Sequence, residues 1–281
     1  MKKRTRSFSL MILAAIMLGS CSAPAQTAAP TAAPAATETQ AAVTEAAEAE
    51  TTEAPETPDD GSMYADLSGG MPANFEASDG WTNGDPFNVT WYSGNVTFND
   101  SKMQLIIDND PSPKKGIPYS GGEFRSKDFY GYGRYEVSMK AISNDGVVSS
   151  FFTYTGPSDN NPWDEIDVEI LGKDTTQVQF NYYLDGRGGH EYMHDLGFDA
   201  SEDFHTYAFE WRSSSITWFV DGEEVYKVEK EDSSKIPSTP GKIMMNAWCG
   251  KGVDGWLNAF TDEKLPLTAE YEWVRFTPID E

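Results

Sequence analysis

Basic side chains are scarce in this sequence. Its 281 residues include 21 Lys and Arg against 45 Asp and Glu, so the formal net charge at pH 7 is −24. Binding to nucleic acid or to an anionic lipid surface depends on positive charge, so we expect neither partner. A neutral polysaccharide remains compatible with this charge, because its binding does not depend on electrostatic attraction.

Long apolar runs are lacking as well. The run from Phe8 to Leu18 is too short to span a bilayer, and it follows basic residues as the apolar region of a signal peptide does. It leads into Leu18-Gly19-Ser20-Cys21, which resembles a bacterial lipobox. The resemblance implies a lipoprotein signal peptide over residues 1–20 and acyl chains on Cys21 that anchor the protein to a membrane. The alternative is an ordinary secreted protein cleaved near Ala23 to Ala25.

The next segment lacks aromatic residues. Residues 21–60 are mostly Ala, Thr, Pro and Glu, with Val43 as the one large aliphatic side chain. Such a segment cannot bury enough apolar surface to offset its ordering entropy, so we predict a disordered tether and no folded binding module. Lipidation of Cys21 leaves Cys249, the second of two cysteines, without a partner, so we predict no disulfide. The protein is then a bacterial lipoprotein, extracellular or at the cell surface.

Residues 61–281 lack any long segment with helical periodicity. They contain all eight Trp residues and read as many short strands separated by Gly, Asn, Asp and Pro clusters. This pattern predicts one all-β sandwich domain. The predicted strands are Asn88–Tyr92, Met103–Asp108, Tyr135–Ala141, Val147–Tyr154, Glu165–Leu171, Val178–Leu184, Thr206–Arg212, Ile216–Val220, Lys242–Ala247 and Tyr271–Thr277.

An acidic strand is the most informative stretch of the domain. At period two, Glu165, Asp167 and Glu169 lie on one face, and the intervening Ile and Val residues lie on the other. Three acids on one face repel one another. One explanation is a solvated outer face over a packed inner one. The other is glycosidic bond cleavage, in which two carboxyl groups about 5–5.5 Å apart give retention of configuration. Two Glu side chains leaning over a shorter Asp can reach that distance.

The acidic strand also carries a resemblance to a known family. Trp163 to Gly172 and the preceding Ser149 to Pro157 resemble the catalytic region of glycoside hydrolase family 16, and most of all that of the bacterial lichenases, which are endo-β-1,3-1,4-glucanases. Lys173 to Thr176, Val178 to Tyr183, Phe204 to Phe209 and Lys242 to Asn246 look like lichenase segments in lichenase order. The resemblance covers roughly residues 72–278.

The resemblance implies a fold and a mechanism. The fold is a concanavalin-like jelly-roll sandwich of two antiparallel sheets, with the concave sheet forming the substrate cleft. Glu165 would be the nucleophile, Glu169 the general acid/base, and Asp167 an assisting residue, with no organic cofactor required. The domain, at 61–281, would act on β-glucan as a monomer.

The positions that line the sugar subsites in lichenases can be matched in this sequence. Aromatic rings there stack on the apolar face of a sugar, and polar side chains bind its hydroxyls. The matching residues are Phe152, Tyr154, Tyr183, Trp248 and Trp256 among the aromatics, and Asn83, Glu123, Arg125 and Asn181 among the polar ones. We assign Phe151, Trp211, Trp218 and Trp273 to the core instead.

Three further features come from the resemblance. Some family members bind a structural calcium ion, and the matching ligand position here is Glu272. Many lichenases carry a disulfide, whose cysteines match Val89 and Gly121. Cys249 stands where an Asn is common in the family, which affects one subsite contact.

Two histidines match the zinc-protease pattern H-E-x-x-H. His190 and His194 would have to lie on one face of a helix to share a metal ion. They follow a Gly-rich turn, and on a strand their Cα atoms would be about 13 Å apart. We interpret the match as coincidental.

Spacing within the acidic strand also bears on the substrate. Laminarinase-like members of the family insert a residue before the last Glu, whereas lichenases and xyloglucan-active enzymes share the unbroken Glu165-x-Asp167-x-Glu169. The flanking segments favour a lichenase. A β-1,3-glucanase or a xyloglucan-active hydrolase is the alternative enzyme, and a glucan-binding lipoprotein with a dead site is the non-enzymatic alternative.

Overall fold

The structure, a computed structural model, describes residues 60–114, 116–229 and 236–281. The predicted signal peptide, the lipidated Cys21 and almost the whole tether lie outside these residues. Within the described ranges, no helix is long and apolar enough to cross a membrane.

Strands dominate the described part of the chain, which contains sixteen of them and one four-residue α-helix. The elements are β1 Met63–Asp66, β2 Phe75–Ala77, β3 Val89–Trp91, β4 Val96–Asn99, β5 Lys102–Lys114, β6 Ile117–Ser126, β7 Gly133–Lys140, β8 Val147–Thr155, β9 Asp164–Leu171, β10 Gln177–Tyr183, β11 Tyr192–Asp195, β12 His205–Trp211, β13 Ser215–Val220, β14 Glu223–Glu229, β15 Lys242–Cys249, α1 Asp254–Leu257 and β16 Leu267–Pro278. Two single-turn 3-10 helices, Ser93–Asn95 and Pro157–Asp159, complete the set.

The strands form two layers that are joined at one edge. The front layer has the order β11-β10-β9-β8-β15-β6, and the back layer has the order β5-β16-β7-β12-β13-β14. Pairing of β5 with β6 makes the ladder continuous from one layer to the other. Neighbours along this path are antiparallel, and the short β3 joins β6 in parallel. The predicted all-β jelly-roll sandwich is confirmed.

The core lies between the inward faces of the two layers. In strand β9, for example, Ile166, Val168 and Ile170 are fully buried on the inner face, and the acidic row therefore points outward. Trp91, Trp211 and Trp218 are also buried there. Every predicted strand corresponds to an observed one, with ends that differ by a few residues.

One core assignment was wrong. Trp273 is partly exposed on the outer face of β16, where its ring lies 6.4 Å from that of the exposed Tyr64 in β1. A register shift between Tyr271 and Trp273 in the pairing of β16 with β7 changes which side chains point outward after it. Alternation counted from the sequence misses such a bulge, so it placed Trp273 in the core.

Candidate active site

The outward side chains of the front layer form rows across the strands. Glu169 in β9 lies opposite Gln179 in β10 and Ser150 in β8, and Ser150 lies opposite Asn246 in β15. Asn246 in turn lies opposite Glu123 in β6. Because cross-strand partners point to the same face, each acid of β9 begins a row of polar and aromatic groups.

The other two rows follow the same pairing. Asp167 lies opposite Asn181 and Phe152, and Glu165 lies opposite Tyr183 and Tyr154. The pairing of β8 with β9 runs from Val148–Leu171 to Thr155–Asp164 without a register shift. The acidic strand is therefore unbulged, as its spacing predicts.

A cleft of about 980 Å³ lies over these rows. All twelve residues that the sequence assigns to catalysis or to sugar binding line it. They are Asn83, Glu123, Arg125, Phe152, Tyr154, Glu165, Asp167, Glu169, Asn181, Tyr183, Trp248 and Trp256. The structure thus brings together residues from five strands, one loop and the helix.

Glu165 is held by two hydrogen-bond donors. Trp163 Nε1 donates to its Oε2 at 2.5 Å, and the Asp167 carboxyl hydrogen-bonds it from the next outward position. Burial raises the pKa of Glu165 to about 7, and both hydrogen bonds oppose that rise because they stabilise the ionised form. Glu165 is the acid of the row that is best provided with donors for a negative charge.

Asp167 is the most buried of the three acids, with 4% of its surface exposed. Burial, followed by the charges of Glu165 and Glu169, raises the pKa of Asp167 well above its ordinary range. The hydrogen bond between the two carboxyl groups raises the pKa of Asp167 and lowers that of Glu165, so Asp167 is the donor in it.

Glu169 has a different set of partners. Gln179 Nε2 donates to its Oε2 at 2.6 Å, and Trp256 Nε1 donates to Gln179 Oε1 at 3.0 Å. Burial raises the pKa of Glu169 to about 8, opposed by the Gln179 hydrogen bond. Glu169 accepts one such stabilising hydrogen bond and Glu165 accepts two, so Glu165 is the better stabilised as a carboxylate and Glu169 is the better disposed to hold a proton. This ordering of two carboxyl groups is the one that an acid and a nucleophile require.

A second polar network lies at the β6 side of the cleft. Ser78 Oγ donates to Glu123 Oε1 at 2.7 Å, and Asn246 Nδ2 donates to Glu123 Oε2 at 3.3 Å. Burial raises the pKa of Glu123 to about 7. Arg125 pairs with Glu76 at 2.9 Å. These contacts fix the direction of polar groups that line the cleft.

Aromatic rings form the walls of the cleft. Trp163 and Tyr183 stack with centroids 5.0 Å apart and planes 12° apart, next to Glu165. Trp248 packs between Phe87, at 4.1 Å, and Trp256, at 6.0 Å. The exposed faces of Trp163, Tyr183 and Trp256 offer stacking surfaces for the apolar faces of sugar rings, whereas Trp248 is only 4% exposed.

Several residues of the cleft were not predicted from the sequence. Trp81, Gln179, Glu191 and Lys242 line the cleft in addition to the predicted residues. Gln179 could have been found, since it stands two residues before Asn181 on the same face of a predicted strand. Trp81 and Glu191 lie in loops, where no periodicity indicates direction.

Asp164, the first residue of β9, has a structural role that the sequence did not reveal. It is 4% exposed, and its carboxylate accepts hydrogen bonds from the backbone N–H groups of Asp185, Ser238 and Thr239 at 3.0–3.2 Å. It therefore ties two loops to the start of the acidic strand.

The two histidines of the H-E-x-x-H match do not lie on a helix. His190 precedes β11, donates from Nδ1 to Tyr182 O at 2.9 Å and stacks on the Tyr182 ring. His194 lies within β11 and stacks on Phe180. The arrangement that zinc proteases use is not formed by these residues.

Glu272, the predicted calcium ligand, is exposed in β16, which is a strand of the back layer. Its Oε2 accepts a hydrogen bond from Ser138 Oγ at 2.7 Å. Calcium prefers six to eight oxygen ligands, and in the described ranges no three His, Cys, Asp or Glu side chains come together to hold a metal ion. These side chains do not by themselves make a calcium site, so calcium binding stays a prediction.

Cys249 is a buried free thiol, and burial raises its pKa to about 12. A Cβ atom on Gly121 would lie 3.1 Å from Val89 Cγ2. The two positions that match the family's disulfide are thus neighbours, occupied here by residues that cannot form one.

Comparison with known proteins identifies the family. The family model of the glycosyl hydrolases family 16 matches residues 83–275, a range that contains the acidic strand and most of the cleft residues. The chain belongs to this family. The resemblance seen in the sequence is thereby confirmed.

Proteins that are named as β-glucanases are similar to this chain. A xylanase/β-glucanase of Ruminococcus flavefaciens is 59% identical over 76% of this chain and 27% of its own length. A β-glucanase of Acetivibrio thermocellus is 57% identical over 73% of this chain and 61% of its own length. The chain therefore spans less than two thirds of the length of these relatives.

A solved structure matches more completely. A prokaryotic β-1,3-1,4-glucanase (lichenase) derived from a mouse hindgut metagenome is 51% identical, with a TM-score of 0.73. The match covers 78% of this chain and 99% of that one. The sandwich fold of this chain, including its front layer, is thus similar to that of a solved lichenase.

Proposed function

We propose that the chain is a retaining endo-β-1,3-1,4-glucanase that hydrolyses mixed-linkage β-glucan. The observation that carries the proposal is the Glu165–Asp167–Glu169 row on an unbulged strand at the floor of an aromatic-walled cleft. The two outer acids differ in their hydrogen-bond donors, and that difference gives them the separate roles that a retaining glycosidase needs.

In the first step, the Glu165 carboxylate attacks the anomeric carbon and forms a glycosyl ester as the glycosidic C–O bond breaks. Glu169 donates its proton to the departing oxygen, which leaves as a hydroxyl on the aglycone. Trp163 and protonated Asp167 hold Glu165 in position for the attack.

In the second step, Glu169, now ionised, removes a proton from a water molecule, and the water oxygen attacks the anomeric carbon. The ester bond to Glu165 breaks and returns Glu165 as a carboxylate, while Glu169 regains its proton. The two displacements together retain the anomeric configuration. Neither step needs an organic cofactor.

Polar groups along the cleft support binding of a hydroxyl-rich polymer. Asn181 is 3% exposed, and its Oδ1 has no hydrogen-bond partner among the described residues. A buried acceptor without a partner is costly, and a sugar hydroxyl would satisfy it. Glu123 and Arg125 line the cleft beyond it, on β6.

Two observations favour mixed-linkage glucan over laminarin or xyloglucan. The unbulged acidic strand argues against laminarin. The 51% identity with a solved lichenase favours mixed-linkage glucan over both alternatives. The xylanase part of the Ruminococcus relative's name has no such support, since the chain covers only 27% of that protein.

We also propose that the enzyme works as a monomeric lipoprotein, anchored through Cys21 at the outer surface of a bacterial membrane. The lipobox-like Leu18 to Cys21 and the Ala/Thr/Pro/Glu composition of the following segment support this proposal. Detergent partitioning of the expressed full-length protein, compared with Cys21→Ser, would test it. The Ser variant should move to the aqueous phase.

Product analysis would test the activity. A protein of residues 61–281 is incubated with mixed-linkage β-glucan, laminarin and xyloglucan, and the new reducing ends are followed by proton NMR. Short oligosaccharides from mixed-linkage glucan alone, appearing first as the β-anomer, are expected. Cleavage of another glucan would correct the substrate, and binding without any product would favour a glucan-binding protein.

A further inference from the structure

Behind Glu169 lies a chain of two hydrogen bonds that the proposed mechanism does not use. Trp256 Nε1 donates to Gln179 Oε1 at 3.0 Å, and Gln179 Nε2 donates to Glu169 Oε2 at 2.6 Å. Gln179 is 4% exposed and lies directly opposite Glu169 in the strand pairing. Trp256 belongs to α1, which follows β15. The helix α1 thus acts on the Glu169 carboxyl group through Gln179 of β10.

The chain of hydrogen bonds has a single possible direction. The oxygen and nitrogen of a Gln amide are close in shape, so its orientation follows from its partners. An indole N–H can donate but cannot accept. Trp256 therefore requires the oxygen of Gln179, and the amide nitrogen must then face Glu169.

This direction determines which oxygen of Glu169 carries a proton. The carbonyl oxygen of a protonated carboxyl group is a better acceptor than its hydroxyl oxygen, so the Nε2 donor at Oε2 favours the proton of Glu169 on Oε1. We propose that Trp256 and Gln179 are positioning residues that direct the catalytic proton of Glu169 to Oε1, the oxygen left free for the leaving group. The proposal rests on the proposed role of Glu169 as acid/base.

The two cations that line the cleft, Arg125 on β6 and Lys242 on β15, lie outside the cross-strand row of Glu169. The charged and titratable groups nearby are Glu165 and Asp167 on the same strand and Glu191 in the loop before β11. From β8, Glu169 faces the uncharged Ser150. Among the described residues, Gln179 is the side chain that hydrogen-bonds Glu169, so loss of its donor leaves the ionised carboxylate without one.

Glu165 offers a matched comparison within the same cleft. Its Oε2 accepts directly from Trp163 Nε1. Trp256→Phe and Trp163→Phe each remove one indole N–H and keep an aromatic ring, but they act on different carboxyl groups. The first should affect the acid/base, and the second should affect the nucleophile.

The experiment uses aryl β-glycosides of one mixed-linkage oligosaccharide whose phenols differ in acidity. A dinitrophenolate leaves without a proton, whereas phenolate needs one. These substrates place no sugar beyond the cleaved bond, so a lost stacking contact there does not enter the comparison. For Trp256→Phe we expect about a tenfold loss of kcat/KM with the phenyl glycoside and less than about twofold with the dinitrophenyl one, since general acid catalysis contributes about 10²–10⁴-fold.

The pH profile gives a second readout. The Gln179 donor stabilises ionised Glu169, so its loss or misdirection raises the pKa of Glu169. The basic limb of kcat/KM should then move up by about one pH unit, as expected for loss of one hydrogen bond to a charged group. In Trp163→Phe, the acidic limb should move up instead, because that limb reports ionisation of Glu165.

Gln179→Met is the second variant, since it removes the donor while keeping side-chain length. It should reproduce both effects of Trp256→Phe, and thermal unfolding checks that each variant is folded. Equal losses on all phenols, or an unmoved basic limb in both folded variants, would overturn the proposal while leaving the glucanase function intact. A wild-type protein that cleaves none of the glycosides would overturn the function itself and this inference with it.

Discussion

The buried acid Glu123 makes the stability of this protein depend on pH in a way that can be calculated. Its side chain is 1% exposed, and burial raises its pKa from the ordinary 4.5 to about 7. Between these two values the folded state holds a proton that the unfolded state has released. The folded state therefore binds more protons, and stability must fall as the pH rises through this window.

The magnitude follows from the two pKa values. A difference of one pKa unit corresponds to about 1.36 kcal/mol, so a rise of about 2.5 units costs about 3 kcal/mol at pH 7, where the folded-state group is half ionised. At pH 5 the same linkage costs about 1 kcal/mol. Glu123 alone should therefore remove about 2 kcal/mol of the free energy of unfolding between pH 5 and pH 7.

Glu123→Gln removes the titration and keeps the volume. The amide oxygen can still accept from Ser78, but the amide nitrogen faces the Asn246 donor, which costs about 1 kcal/mol. The net expectation is a variant about 1–2 kcal/mol more stable than wild type at pH 7 and slightly less stable at pH 5. Binding of glucan should weaken, because the residue lines the cleft.

Urea unfolding at several pH values between 5 and 8 measures this effect, with Glu270→Gln as the control. Glu270 is partly buried on the back layer, and the neighbouring Lys140 and Lys102 overcome its burial and lower its pKa. Its contribution is present above its unfolded pKa and is lost as the pH falls, so Glu270→Gln should destabilise at neutral pH. If Glu123→Gln keeps the wild-type loss of stability between pH 5 and 7, the assignment of that loss to Glu123 is refuted.

Four further predictions concern the site and its supports. Glu165→Gln should abolish detectable turnover while folding and glucan binding persist; substantial residual activity would contradict its role as nucleophile. Asp164→Ala leaves three backbone N–H groups without their acceptor and should lower the free energy of unfolding by about 2–4 kcal/mol, measured by urea unfolding. Gly122→Ala would place a Cβ atom 2.6 Å from Asn95 O and should destabilise by about 1–3 kcal/mol or more; an unchanged melting temperature would show that β6 can shift. If Glu272 ligates calcium, a chelator should lower the melting temperature of wild type but not of Glu272→Gln.

Local patterns account for the parts of the fold and site that were predicted correctly. The alternation in Glu165 to Ile170 places apolar side chains on one face and acids on the other, whatever the strand packs against. The same rule puts Asn181 and Tyr183 on one face of β10. Where a strand is regular and one face is apolar, the sequence is sufficient to predict both the strand and which of its side chains point toward the core.

Strands that break this rule were not predicted, and β6 matters most. Its sequence, Ile117 to Ser126, contains one Pro, two Gly and two Ser, which indicate a turn rather than a strand. Its glycines are needed because a Cβ on Gly121 or Gly122 would approach backbone oxygens of neighbouring segments within 2.7 Å. That requirement comes from packing between layers, which a single sequence does not display. Strands β1, β2, β4, β11 and β14, mostly short edge pieces, were missed for a similar lack of local signal.

The sequence by itself determined the sandwich class, the acidic strand and the residue types that can cleave a glycosidic bond, because alternation and composition are local properties of the chain. Only the tertiary structure decided what surrounds each acid. Trp163 donates a hydrogen bond to Glu165 directly, whereas Trp256 acts on Glu169 through Gln179, which donates to it from β10. Burial and these donors separate the pKa values of two otherwise identical glutamates. Such differences arise from contacts between distant segments, and those contacts exist only once the chain has folded.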